Sequence, residues 1–144
     1  MWRDERLRGL SSDHHQALVL ASRLVKASLP SDVSAALDEL LDRFDTSLDP
    51  HFRVEEALLL PALRALGESE LVHRTEEDHA WLRQEVARAR GGASIDARAY
   101  GERLRAHVRF EEKELFERCQ AVVPDEILNR VWDLWPTDES KRRS

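Results

Sequence analysis

Residues 51–59 read His-Phe-Arg-Val-Glu-Glu-Ala-Leu-Leu, and residues 107–115 read His-Val-Arg-Phe-Glu-Glu-Lys-Glu-Leu. Each copy sets a His and a Glu four residues apart, one turn along the same face of a helix. Leu37, Leu41, Phe44, Leu48, His51, Glu55, Leu58 and Ala62 step by fours and threes through the first copy, as do Tyr100, Leu104, His107, Glu111 and Leu115 through the second. Both pairs therefore fall on the inward seam of a helix bundle, not on its solvated side. An unpaired carboxylate on such a seam costs several kcal/mol. Two of them facing each other repel unless cations lie between, and carboxylates that bridge two metal ions resolve the conflict directly.

Two further histidines complete a ligand set. His79 shares a stripe with Val72, Thr75, Leu82 and Val86, and His14 shares one with Leu18, Ala21 and Val25. The neighbouring His15 points about 100° away, along a stripe with Ser22 and Lys26, so His14 is the preferred helix-1 ligand and His15 the alternative. The candidate metal ligands are thus His14, His51, Glu55, His79, His107 and Glu111, at about four donors for each of two ions. Mixed nitrogen and oxygen donors with open positions suit iron better than calcium or magnesium, and the thiolates of structural zinc are missing; zinc or manganese remains chemically compatible.

The chain reads as all-α, an up-and-down four-helix bundle with a short C-terminal helix. Five Gly and five Pro in 144 residues, with 35% charged residues, favour long amphipathic helices. Ser11-Ser12-Asp13 is a helix start, and Leu29-Pro30 a stop. A second helix is expected from Ser31-Asp32 to Leu66-Gly67, kinked at Pro50 and Pro61. The third runs from Ser69 to Arg90 before Gly91-Gly92, and the fourth from Ser94 or Asp96 to Val122, ended by Pro124. A single domain is expected over 1–144, with a bundle core of about 10–123 and a capping segment of 124–144. In that segment Ile127, Leu128, Val131, Trp132 and Trp135 form an amphipathic helix, either a cap or the surface for a homodimer or protein partner, followed by a polar tail from Pro136.

A net charge of −6 argues against a nucleic-acid or anionic-membrane surface, since the one basic run is Lys141-Arg142-Arg143. Met1-Trp2-Arg3-Asp4 opens no apolar leader, and no run of eighteen apolar residues occurs. Cys119 is the sole cysteine, so a reducing compartment, the cytoplasm, is expected.

The spaced set His14, His51-x-x-x-Glu55, His79, His107-x-x-x-Glu111 resembles the hemerythrin-like HHE cation-binding family over roughly residues 10–120. The resemblance implies two iron ions with a bridging oxygen species. It also departs from the oxygen carriers of that family, which use His-x-x-x-His on the third helix and a His-to-Asp spacing of five on the fourth. Here Arg83 stands four after His79, and Glu111 four after His107. What is implied is the bacterial subgroup with four ligating histidines, in which chemistry on peroxide, nitric oxide or oxygen is expected rather than reversible oxygen carriage. Non-catalytic sensing or storage through a partner is the alternative. Tyr100, two turns before His107, could reach the position of the missing histidine, with packing its simpler role. Glu112 holds the five-spaced carboxylate position, while Glu56 and Glu112 otherwise read as salt-bridge partners of arginines. His73, offset by about 120° from His79, should miss the site. A ferritin-like oxidase would need two Glu-x-x-His motifs, and only Glu76 to His79 fits.

Overall fold

A computed structural model describes residues 2–142; Met1, Arg143 and Ser144, which entered the leader and basic-tail readings, lie outside the described residues. Among the described residues every regular element is helical. Helix α1 is Arg8–Lys26, α2 covers residues 30–65 without interruption, α3 is Ser69–Arg90, α4 covers residues 97–122, and α5 is Asp125–Leu134. Short 3-10 turns, Glu5–Leu7 and Glu139–Lys141, flank the set. None of these helices is long and apolar enough to cross a membrane.

The boundaries follow local chemistry. Pro30 sits in the first turn of α2, where its missing N–H costs nothing. Asp96 caps α4 by accepting from the Ala99 N–H at 3.0 Å. Helix α2 ends on Gly67 at φ 82, where the Glu68 N–H closes back onto the Leu63 carbonyl at 2.9 Å; such a left-handed residue is cheap only for glycine. The first helix starts earlier than Ser11-Ser12-Asp13 suggest. The 3-10 turn Glu5–Leu7 leads into it, capped by Asp4, which accepts from the Arg6 N–H at 2.9 Å, and the three polar residues lie inside α1.

Among the described residues three turns are widened to i→i+5 hydrogen bonding: Asp49 N–H to Phe44 O, Leu60 N–H to Glu55 O, and Phe116 N–H to Glu111 O. Pro50 and Pro61 each follow one of the first two by two residues, so a wide turn accommodates the missing donor and the helix continues. The third wide turn has no proline, and what it shares with the second is a buried glutamate at its first position.

Two apolar clusters lie on either side of a polar layer. One gathers Leu7, Leu10, Leu58, Leu63, Val72, Phe116 and the C-terminal Leu128, Val131 and Trp135; the other gathers Leu20, Leu24, Leu40, Phe44, Leu82, Tyr100 and Leu104. Along α1 and α3 the chain passes from the first cluster to the second, and along α2 and α4 from the second to the first. Between them, at the same level on all four helices, sit His14, His51 with Glu55, His79, and His107 with Glu111, all buried. At Gly101 a Cβ would lie 2.6 Å from the Ala21 carbonyl oxygen, so α1 and α4 pack at backbone distance. Helix α5 buries Leu128 and Val131 against the first cluster, with Trp135 just beyond it, which makes the segment a cap in packing terms.

Candidate metal centre

The structure brings all six candidate residues together. Both glutamates have no exposed surface, and the four imidazoles are 1–5% exposed. His14, His51, Glu55 and Glu111 form one group and Glu55, His79, His107 and Glu111 a second, each with donor atoms within 4.8 Å of one another. Glu111 divides its oxygens between the groups, Oε1 lying 2.8 Å from His14 Nε2 and 3.4 Å from His51 Nε2, and Oε2 3.1 Å from His107 Nε2. Glu55 does the same, with Oε2 3.1 Å from His51 Nε2 and Oε1 3.1 Å from His79 Nε2. Each carboxylate thus spans both groups, the arrangement that bridging requires.

On the outward side every imidazole is held by a carboxylate. His14 Nδ1 lies 2.6 Å from Glu112, His51 Nδ1 3.0 Å from Asp13, His79 Nδ1 2.7 Å from Glu56, and His107 Nδ1 2.8 Å from Asp78. Because a carboxylate only accepts, each Nδ1 carries the proton, and a neutral ring then turns the Nε2 lone pair inward as a metal donor. Four inward atoms, Glu55 Oε1, Glu111 Oε2, His79 Nε2 and His107 Nε2, are buried without any hydrogen-bond partner. Buried polar atoms are rarely left so, and here lone pairs converge on one another. The donor set fits metal ions.

Without metal the same contacts work as ion pairs. Burial alone would push His79 down, but Glu111, Glu55 and Glu56 outweigh it and raise the ring to about 11. At His107 burial is likewise overcome, by the charge of Glu111 and the bond to Asp78, to about 9. Burial would raise Glu111, yet His107 and the other imidazoles hold it well below the usual carboxylate range. Metal binding must therefore displace protons from this centre.

The outer carboxylates are themselves anchored by arginines, each stacked near an aromatic ring. Arg83 Nη1 and Nη2 reach Glu56 at 2.7 and 3.0 Å, and Arg103 Nε reaches Asp78 at 2.9 Å. Arg142 Nη1 lies 2.8 Å from Asp13, and Arg3 Nη2 3.4 Å from Glu112, which also accepts from Ser11 Oγ at 2.6 Å. The aromatic faces are Phe52 for Arg83, Trp81 for Arg103, Trp135 for Arg142 and Phe116 for Arg3.

Several sequence expectations gain or change meaning. Glu56 and Glu112 do pair with arginines, but their second contact is to a site histidine. Arg83, in place of a fifth histidine, binds Glu56 and Asp49 outside the centre. Tyr100 packs among leucines and donates to the Leu82 carbonyl at 3.0 Å. His15 and His73 lie exposed at the surface. Asp13 and Asp78 were missed, although a signal existed: Asp-His occurs at 13–14 and again at 78–79, each before a His-x-x-x-Glu-Glu copy. The tail from Pro136 is not a free polar end, because Arg142 folds back onto α1.

A helical protein with a buried, twofold-repeated centre of imidazoles and spanning carboxylates is a metal-binding bundle by its chemistry. The family model of the hemerythrin HHE cation-binding domain matches residues 6–119. The chain belongs to that family. Searches among curated proteins and among solved structures gave no match.

Proposed function

We propose that the chain is a non-heme di-iron protein that binds, and reacts with, a small oxidant: hydrogen peroxide, oxygen or nitric oxide. His14 and His51 hold one ion, His79 and His107 the other, and Glu55 and Glu111 bridge them. The observation that carries this reading is the contrast between the two sides of the imidazoles. Every Nδ1 has an outer carboxylate partner and every Nε2 faces Glu55 or Glu111, yet Glu55 Oε1, His79 Nε2, His107 Nε2 and Glu111 Oε2 are left without a hydrogen bond among the described residues. The alternating passage of the four long helices between the two apolar clusters supports the up-and-down bundle topology.

Iron held there would carry electrons between two peroxide molecules, one reduced to water and the other oxidised to oxygen, so that disproportionation needs no outside reductant. The chain's own part is to fix the donors and to limit access. A cavity of about 10 Å³ touches His14, His51, His107 and Glu111 and is closed on its other side by Leu48, Phe52, Leu104 and Val108. It is water-sized, which favours a peroxide or diatomic ligand over an organic substrate. The one cysteine is buried, in keeping with a reducing compartment such as the cytoplasm. A homodimer or protein partner docking on the C-terminal segment would use what its packing leaves outward, such as the half-buried Trp132.

A sensing role without turnover is the second reading, favoured by the contact path from His51 through Asp13 to Trp135 and Arg142 in the surface segment. Protein purified without added metal should contain about two iron ions per chain and absorb in the near-ultraviolet as bridged ferric pairs do. Mixing with peroxide then separates the roles. Oxygen released over many turnovers supports the enzyme, stoichiometric binding without turnover supports the sensor, and iron-free protein that takes up none sinks both.

A further inference from the structure

The four anchoring arginines divide unequally along the chain. Arg83 and Arg103, which hold the carboxylates behind His79 and His107, lie inside the family-matched residues 6–119. Arg3 and Arg142, behind His14 and His51, lie outside that match, at opposite ends of the chain. The histidines so served belong to one ligand group. From this geometry we infer that the two chain ends are positioning elements for one metal subsite only, the one built on His14 and His51. The inference rests on the two-metal reading above.

The C-terminal contact is the more elaborate of the two. Asp13 Oδ2 accepts from both His51 Nδ1 at 3.0 Å and Trp135 Nε1 at 2.6 Å, while Oδ1 pairs with Arg142 at 2.8 Å. Both carboxylate oxygens are occupied, so Asp13 has one orientation, and His51 inherits it. Three features keep the segment in place. Arg142 stacks over Trp135 at 4.5 Å and donates to the Gly9 carbonyl at 3.1 Å. Trp135 is buried in the apolar cluster that also holds Leu7 and Leu10. At Gly9 a side chain would overlap the Trp135 carbonyl oxygen, so the closest approach of the segment to α1 requires glycine. At the other end Arg3 donates to the Glu112 backbone carbonyl at 2.7 Å and reaches its carboxylate, whose other oxygen lies on His14 Nδ1. Among the described residues His79 and His107 make no such contact with either end, and their outer carboxylates are held from α3 and α4.

The inference predicts asymmetric metal binding when the clamp is loosened. Trp135→Phe keeps the buried ring and removes the N–H; Arg142→Leu removes the ion pair; Arg142→Lys restores one charged donor. In anaerobic titration with ferrous ion against a competing chelator, both Trp135→Phe and Arg142→Leu should weaken one of two ions by about tenfold or more, leaving the other near the wild-type value. Arg142→Lys should recover part of the loss. Imidazole nitrogen-15 spectra of the metal-free variants provide a readout that needs no iron: His51 signals should move while those of His79 and His107 stay. Wild-type affinity for both ions in both variants, equal weakening of both ions, or unshifted His51 signals would each overturn the clamp. A wild-type chain that takes up no ferrous ion would instead overturn the two-metal reading, and the imidazole spectra would then decide the positioning role by themselves.

Discussion

Glu55 and Glu111, on different helices, occupy the same position in the same backbone irregularity: each begins a wide turn in which its own carbonyl accepts from the N–H five residues on. Both side chains are fully buried and each spans both ligand groups. A wide turn inserts one residue into the helix and re-aims the side chains that follow, a distortion found disproportionately at functional sites. Each wide turn lies just beyond its His-x-x-x-Glu pair, which meets the centre on an ordinary helical turn, while the next glutamate in each copy turns outward to hold a histidine of another helix.

Removing one bridge should therefore remove metal before it removes the fold. Glu111→Gln preserves shape but leaves His14 and His107 facing a neutral amide. The expectation is less than one ion per chain by elemental analysis. In the metal-free state stability should fall by about 3 kcal/mol in denaturant melts, because an imidazolium partner is left uncompensated. Two ions bound at wild-type affinity would refute the bridging role.

The raised imidazoles set the pH behaviour of the metal-free chain. Groups whose folded pKa exceeds the free value of 6.5 add stability that is complete below 6.5 and is lost as pH climbs through about 9 for His107 and about 11 for His79. Chelator-treated protein should thus melt progressively lower between pH 7 and pH 10, whereas metal-loaded protein, whose rings are already neutral donors, should not follow that slope. A flat melting temperature for the metal-free chain over that range would contradict the ion-pair account.

The inward half of the centre was legible from periodicity, since His51, Glu55, His107 and Glu111 lie where the apolar seam demands leucines. Helices α3 and α4 were equally plain, bounded by Ser69, Gly91-Gly92 and Asp96. The outer half was hidden for a physical reason. Asp13, Asp78, Glu56 and Glu112 flank the ligands and leave the seam, so a helical wheel assigns them to solvent or to arginines. Only the cross-helix register shows that Asp13 serves His51 and that Glu112 serves His14. The wide turns were hidden as well, because a helix drawn at 3.6 residues per turn has no place for them. The role of Arg142 depended on a chain reversal after Trp135 that has no period to betray it.

Asp78 tests whether these outer carboxylates tune the metal. It accepts from His107 Nδ1 at 2.8 Å and from Arg103 at 2.9 Å. Asp78→Asn keeps the size but presents an amide where a charge stood, so His107 becomes a weaker donor. Affinity for the ion on His79 and His107 should drop about 10- to 100-fold in chelator competition. An unchanged affinity would reduce Asp78 to a buried ion-pair residue with no part in tuning the metal.

Tyr100 offers the complementary control. Burial pushes its hydroxyl far above the ordinary tyrosine range, so it stays protonated, and it donates to the Leu82 carbonyl rather than to anything at the centre. Tyr100→Phe removes that donor and leaves a buried carbonyl with one bond fewer, a cost of about 1 kcal/mol in a denaturant melt. Because no ligand atom shifts, the iron content, the near-ultraviolet spectrum and the rate with peroxide should match the parent chain. A changed spectrum would mean that the phenol reaches the metals in solution, and it would place Tyr100 among the residues that contact the bound oxidant.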